Sequence, residues 1–181
     1  MTRFYSSEGI ILARRNFGEA DRILVVFSRG QGKISLIAKG IRQLKSKKRG
    51  SLEVFSQINF QATKTKSIDI LTEVEIKNSF LSLRKDLKKV AMAYYFVEVI
   101  GRSLGENQKS EKVFDILLES FEELKVRETQ LRDLKEKFIC RVLVALGFWP
   151  KGEKLENADL ILEEVLERRV NSARVGKKLF S

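Results

Sequence analysis

The apolar pattern of this chain changes its period once, near residue 80, and that change limits the possible architectures more than any motif does. Before it, apolar side chains alternate or cluster over short stretches. Gly9–Arg15 reads GIILARR, and Ile23–Phe27 is the run ILVVF, suited to a strand covered on both faces. Ile34, Leu36 and Ala38 alternate with Lys33 and Ser35. Val54, Ile58 and Phe60 share one parity, as do Ile68, Ile70, Val74 and Ile76, and residues of one parity line one face of a strand. Between the second and third runs, SRGQGK supplies Gly30 and Gly32 for a tight hairpin turn. Five short strands in about 75 residues predict a small antiparallel barrel.

After residue 80 the spacing becomes helical. Leu83, Leu87, Val90, Ala91, Tyr94, Val97 and Leu104 fall three or four apart. The same spacing links Val113 to Leu124 and Leu131 to Trp149, predicting three amphipathic helices. Ser110 and Thr129 are placed to cap the second and third, and Gly147 with Pro150, the single proline, ends the third. A last helix is expected around Leu160–Val170. The expected organisation is therefore α+β in two domains, with residues 1–79 a five-stranded barrel of the oligonucleotide-binding kind and 80–181 all helical.

With 181 residues, 43% of them hydrophobic, the chain can bury one good core or divide into two small ones. It has no histidine and a single cysteine, Cys140. That removes Ser-His-Asp and Cys-His nucleophile systems, imidazole and cysteine metal sites and intramolecular disulfides, so no metal is expected. The opening MTRFYSSEGIILARR has no long apolar segment, which predicts neither a signal peptide nor a membrane span, and the lone cysteine points to a reducing, cytoplasmic location. Glu122–Glu123 and Glu163–Glu164 sit on helical patterns as solvated faces, not as paired catalytic carboxylates.

The net charge is +11, and it is unevenly spread. Residues 1–79 carry 15 basic and 7 acidic side chains, whereas 80–181 carry 20 and 17. The stretch AKGIRQLKSKKRG concentrates Lys39, Arg42, Lys45, Lys47, Lys48 and Arg49 in one connection with no acid among them. Like charges crowded together repel unless a polyanion lies alongside, so this connection predicts phosphate contacts; a solvated loop that only aids solubility is the alternative. Arg14 and Arg15, adjacent at the end of the first strand, point to opposite faces, so at least one reaches solvent and joins the candidate nucleic-acid contacts. Phe4, Tyr5, Phe17 and Phe55 are candidate stacking platforms, although an aromatic at strand spacing more often belongs to the core. GQGKIS is not a phosphate loop: Phe27 stands where the first glycine belongs, Ile34 follows the lysine, and a strand follows instead of a helix.

Several spaced strings resemble the RecO family of bacterial recombination mediators. They are Glu8-Gly9-Ile10, Gly18-Glu19-Ala20-Asp21-Arg22, Phe27-Ser28-Arg29 with Gly32-Lys33, and Ala38-Lys39-Gly40. GSLEVFSQINF is similar to a family segment in which Val54 is a proline. The resemblance continues through FLSLRKDLKKVAMAYYFVEVI and LKEKFICRVLVALGFWP. It implies a non-catalytic protein, without a nucleotide cofactor, that binds single- and double-stranded DNA, anneals strands, associates with RecR, engages the acidic tail of single-stranded-DNA-binding protein, and helps RecA replace that protein. It makes Lys39 and Arg42 first choices for DNA contact. For the acidic tail it implies basic residues just before Phe138, where this chain has Glu136 and Lys137; Lys137, with Lys135 and Arg141, is left as carboxylate partner. FWPKGEKLENAD lacks the zinc cysteines of many relatives, which predicts a shortened, zinc-free member. An adaptor that only docks proteins and an RNA-binding module are the alternatives, since charge and stacking do not report the sugar.

Overall fold

The structure, a computed structural model, describes residues 4–42, 52–126, 128 and 130–166. Five strands come first: β1 (Phe4–Phe17), β2 (Asp21–Ser28), β3 (Gly32–Ala38), β4 (Gln57–Thr63) and β5 (Asp69–Asn78). They close into a barrel in the order β1-β2-β3-β5-β4. β1 serves both neighbours, pairing through Phe4–Ile10 with β4 and through Gly9–Phe17 with β2. Its register shifts between Ile11 and Ala13, where the backbone turns to exchange hydrogen bonds with the start of the β4 segment: Ile11 N donates to Ser56 O and Phe55 N to Ile11 O. Closure is completed by a short parallel pairing of Leu36 with Asp69 and Ile37 with Ile70.

Alternation sets the core. Leu24, Val26, Ile34, Leu36, Ile58, Phe60 and Ala62 point into the barrel and are buried together with Ile11. β2 is also buried at Ile23 and Phe27, of the opposite parity, as its continuous apolar run predicts. Gly9 sits where the walls are tightest, since a Cβ there would lie 2.5 Å from Val26 Cγ1. At the β2–β3 hairpin Gly32 has φ +75, and an added Cβ would meet the Gln108 backbone at 2.5 Å.

Two boundaries differ from the sequence reading. β1 begins at Phe4, not Gly9, because Ser6 and Glu8 occupy the polar outward parity of a real strand. Val54 shares parity with Ile58 and Phe60 of β4 yet lies with Phe55 in a turn before the strand, Phe55 with φ 58 and no exposed surface. Burial of that ring offsets a backbone conformation a bulky residue rarely adopts.

A one-turn 3-10 segment at Leu83–Lys85 precedes four helices: α1 (Leu87–Ser103), α2 (Glu111–Lys125), α3 (Leu131–Ala145) and α4 (Ala158–Leu166). The first helix starts later than its apolar spacing suggests because Asp86 Oδ1 takes the amides of Lys88 and Lys89, a competing local cap. Ser110 caps α2 as expected, accepting from Val113 N at 3.3 Å. Thr129, the expected cap of α3, lies outside the described residues. Gly147, φ +81, ends α3 with bonds from Gly147 N to Val144 O and Phe148 N to Leu143 O, so Trp149 falls beyond the helix.

The chain forms two compact units: the segment up to Phe80 with Leu104–Lys109, and Leu81–Ser103 with the chain from Ser110 onward. Leu104–Lys109 joins the first through Asn107 N, which donates to Lys33 O at 2.8 Å. In the second, Phe96 packs against Phe138 with ring centroids 4.1 Å apart and against Phe121 at 6.3 Å.

Candidate nucleic-acid interface

The basic connection leaves the barrel from the end of β3, and its first residues are pinned. Gly40, φ 63, donates its amide to Asp21 Oδ1 at 2.8 Å. Arg42 is held twice on the β1–β2 turn, its amide donating to Ala20 O at 2.9 Å and its guanidinium to Gly18 O at 3.1 Å. Ile41 and, on the far side, Leu52 are buried in the barrel core, and Val54 and Phe55 are buried next to them in sequence. Both anchors of the connection are thus apolar and hydrogen-bonded. The two strings Gly18–Arg22 and Ala38–Gly40 are bonded to each other, which is a physical reason for these residues at this spacing.

Of the sequence-derived contacts, Lys39 is exposed and Arg42 half-buried at this end of the barrel. Lys45, Lys47, Lys48 and Arg49 lie outside the described residues. The two arginines at the end of β1 separate as their parity requires. Arg14 is bound to Glu53 at 2.6 Å, whereas Arg15 is exposed. Lys39 and Arg15 have no ion pair among the described residues. Pairing brings them onto one side: Arg15 sits across from Ile23, Ile23 across from Ile37, and Lys39 follows two residues after Ile37.

The aromatic candidates divide sharply. Phe55 is a core residue, enclosed on every side, and is not a stacking platform. Tyr5 is half-buried, edge-on to Phe60, and its hydroxyl donates to Asp69 Oδ2 at 2.8 Å. Burial, the Asp69 hydrogen bond and the Asp69 charge all raise its pKa, so the phenol stays a neutral donor. Phe4 is 61% exposed and Phe17 48% exposed, each at an end of β1.

Glu8 binds three donors on the barrel wall: Lys77 at 2.7 Å, Gln57 at 2.6 Å and Arg29 at 3.1 Å. Burial alone raises its pKa, but these hydrogen bonds and the Lys77 charge outweigh it and hold the carboxyl below its ordinary range. Glu8 and Gly9 are therefore scaffold residues of the barrel wall. Sequence inspection missed Lys64 and Lys66 in the β4–β5 turn; the signal was the string TKTKS between two strand patterns.

On the helical unit, the residues considered for the acidic tail do not form one open site. Phe138 has no exposed surface and packs on Phe96. Lys137 pairs with Glu123 at 2.8 Å and Arg141 with Glu119, both on α2. Lys135 faces elsewhere, pairing with Asp159 of α4 at 2.5 Å and lying 4.9 Å from the Tyr95 ring centroid. Tyr95 donates to the same carboxylate at 3.0 Å; burial first, then the Asp159 charge and hydrogen bond, push its pKa up.

A closed five-stranded barrel with exposed Lys39 after β3 and Arg15 near the end of β1, followed by a helical unit, defines an oligonucleotide-binding-fold protein with a helical extension. Residues 1–80 match the family described as Recombination protein O N terminal, and residues 84–154 match Recombination protein O C terminal. The chain belongs to the RecO family. It is 34% identical over 146 residues to the DNA repair protein RecO of Symbiobacterium thermophilum, covering 81% of this chain and 58% of that one. It is 31% identical over 144 residues to the protein of the same name from Alkaliphilus metalliredigens, covering 80% and 58%. Against that of Moorella thermoacetica it is 31% identical over 153 residues, covering 84% and 57%. The chain thus spans less than two thirds of the length of these relatives. Among the described residues, no helix is long and apolar enough to cross a membrane.

Proposed function

We propose that this chain is a DNA-binding recombination mediator acting by charge neutralisation, without catalysis, in recombinational repair. It binds single- and double-stranded DNA through Arg15, Lys39, Arg42 and the basic connection Lys45–Arg49, and it anneals complementary strands. It helps RecA onto DNA coated with single-stranded-DNA-binding protein, with RecR and that protein's acidic tail as its protein partners, in the cytoplasm at the nucleoid. Arg14 is committed to Glu53 in the free protein and contributes through that pair. On the helical unit, Lys137 and Arg141 receive the tail by exchanging the α2 acids for its carboxylates, with Lys135 on the neighbouring side of α3.

The observation that carries the reading is the pinning of the first residues of the connection. Asp21, Gly18 and Ala20 hold Gly40 and Arg42 at the barrel end, so the first residues of the cationic stretch are fixed to the barrel. Cations held close to where phosphates must lie lose less entropy on binding than cations on a free tail. The repair names of the relatives and the family match agree with this reading. The test is annealing of complementary strands coated with single-stranded-DNA-binding protein, with and without its acidic tail. Annealing that depends on the tail is expected. No association with bare oligonucleotide even in dilute buffer overturns DNA binding, and annealing indifferent to the tail overturns the tail contact.

A further inference from the structure

We propose that α4 is a built-in stand-in for an acidic peptide: it fills a carboxylate seat made by Tyr95 of α1 and Lys135 of α3, and a partner's acidic segment takes that seat only when α4 leaves. This rests on the reading above that the helical unit receives an acidic tail, and adds the regulation of that contact.

The seat is built from two helices. The Tyr95 hydroxyl donates to Asp159 Oδ1 at 3.0 Å and Lys135 Nζ to Asp159 Oδ2 at 2.5 Å, so each oxygen of one carboxylate has its own donor. Lys135 Nζ also lies 4.9 Å from the Tyr95 ring centroid, which holds the cation over the phenol. With 18% of the Lys135 side chain exposed, its charge is partly withdrawn from water and calls for an anion. Asp159 supplies that anion from within the chain. A phenol and an ammonium set this way receive any carboxylate that reaches them.

α4 has the composition of the ligand such a seat selects. Its sequence ADLILEEVL carries Asp159, Glu163 and Glu164 and no base, in a chain whose net charge is +11. Leu162, one helical turn after Asp159, has no exposed surface, so the helix offers a carboxylate and an apolar side chain on one face. A peptide of acids followed by an apolar residue offers the same two groups.

α4 is also the helix that can leave. Of its nine residues only Ala158 and Leu162 are buried, against seven of fifteen in α2 and five of fifteen in α3. A helix this short is marginal by itself, so its docking depends on those two side chains and on Asp159. The connection from α3 passes through Gly147 and Gly152, φ +81 and +91, and ends at Asn157, φ 54, so α4 can move away without unwinding α3. While α4 is docked the seat is closed to other carboxylates, and apparent affinity for a partner falls by the fraction of time it is open.

The experiment is fluorescence anisotropy of a labelled peptide of consecutive aspartates ending in Phe, with a free carboxylate, against the full chain and its variants, each with a melting curve. Asp159→Ala is expected to bind the peptide on the order of tenfold more tightly than the parent, the gain for a seat open about a tenth of the time. Glu164→Gln, which removes the same charge from an exposed position of α4, is expected to bind as the parent does. Lys135→Gln breaks the same ion pair as Asp159→Ala but removes a donor of the seat, so it is expected to show no gain and to cancel the gain when combined with Asp159→Ala. A pair that only braces α4 predicts that the two single variants shift peptide affinity alike; that result, or no gain in Asp159→Ala, overturns the proposal. Amide hydrogen exchange on the parent needs no variant: saturating peptide is expected to strip protection from α4 and not from α3, and unchanged protection of α4 overturns the proposal. If Lys137→Gln with Arg141→Gln abolishes peptide binding that Asp159→Ala leaves unaltered, the tail contact stands and the role of α4 is overturned. If neither the parent nor Asp159→Ala binds the peptide, both readings are overturned.

Discussion

On α3 every basic side chain meets an acid: Arg132 Glu136, Lys135 Asp159, Lys137 Glu123 and Arg141 Glu119. On the barrel, Arg15, Lys39, Lys64 and Lys66 meet none among the described residues, while Arg14, Arg29 and Lys77 are taken up by Glu53 and Glu8. The same residue types therefore do different work. Paired cations on a helix surface are neutralised where they stand and contribute about 0–1 kcal/mol each. Unpaired ones leave a potential for a polyanion to answer. The difference teaches that the number of lysines and arginines does not locate an interface. Their lack of nearby acids does.

The comparison can be broken at several strengths. The largest effect expected is on the helical core: Phe138→Ala should cost about 3–5 kcal/mol in urea unfolding, because its ring is fully enclosed against Phe96. If the truncation is harmless, Phe138 does not hold the unit together. Next, replacing Lys39, Arg42, Lys45, Lys47, Lys48 and Arg49 with Gln should flatten a single-strand salt slope of about −3 to −4 and weaken binding at low salt on the order of a hundredfold. An unchanged slope moves the interface away from this end of the barrel.

Asp21→Ala tests the pinning itself. Losing the acceptor for Gly40 N should cost about 1 kcal/mol in thermal or urea unfolding and lower oligonucleotide affinity severalfold. Glu8 gives a pH test. Its carboxyl is held below the ordinary range when folded, so its stabilisation is complete above the unfolded carboxylate pKa and is lost as pH falls through the folded one. Glu8→Gln should therefore flatten the acid limb of a stability–pH curve; an identical limb shows that Glu8 is not a source of that dependence. The smallest effect belongs to Lys137→Gln, which should change stability by less than about 1 kcal/mol and leave the DNA salt slope untouched. A slope change there would make the helical cations part of the DNA interface after all.

Much of the architecture was legible because short-range physics writes it locally. The parity of Ile34, Leu36 and Ala38 and of Ile58 and Phe60, the hairpin at Gly32 and the cap at Ser110 each depend on a few neighbouring residues. Phe55 shows where that stops. It stands in a run that reads as a strand, yet it lies in a left-handed turn with its ring in the core, and only the fold around it holds that conformation. Asp86 shows the reverse, a local cap overriding a helical apolar spacing that starts earlier. The candidate interface was half legible. Lys39 and Arg42 stood out as part of a charge run, whereas Lys64 and Lys66 did not, because two lysines in a turn are common on any surface.

The sequence alone determined the strand and helix periods, the excess of positive charge in the first part, and the absence of histidine chemistry, since each is a property of residue type and spacing. Tertiary structure decided which cations remain unpaired and which aromatics remain open. Arg14 and Arg15 are adjacent in the chain, but one meets Glu53 and the other does not. Phe4 and Phe55 are both aromatics of the barrel segment, and one is exposed while the other is enclosed. Pairing and burial depend on groups brought together from distant positions, as when the parallel contact of β3 with β5 sets the β4–β5 turn beside the start of the basic connection. Local pattern carries no record of such distances.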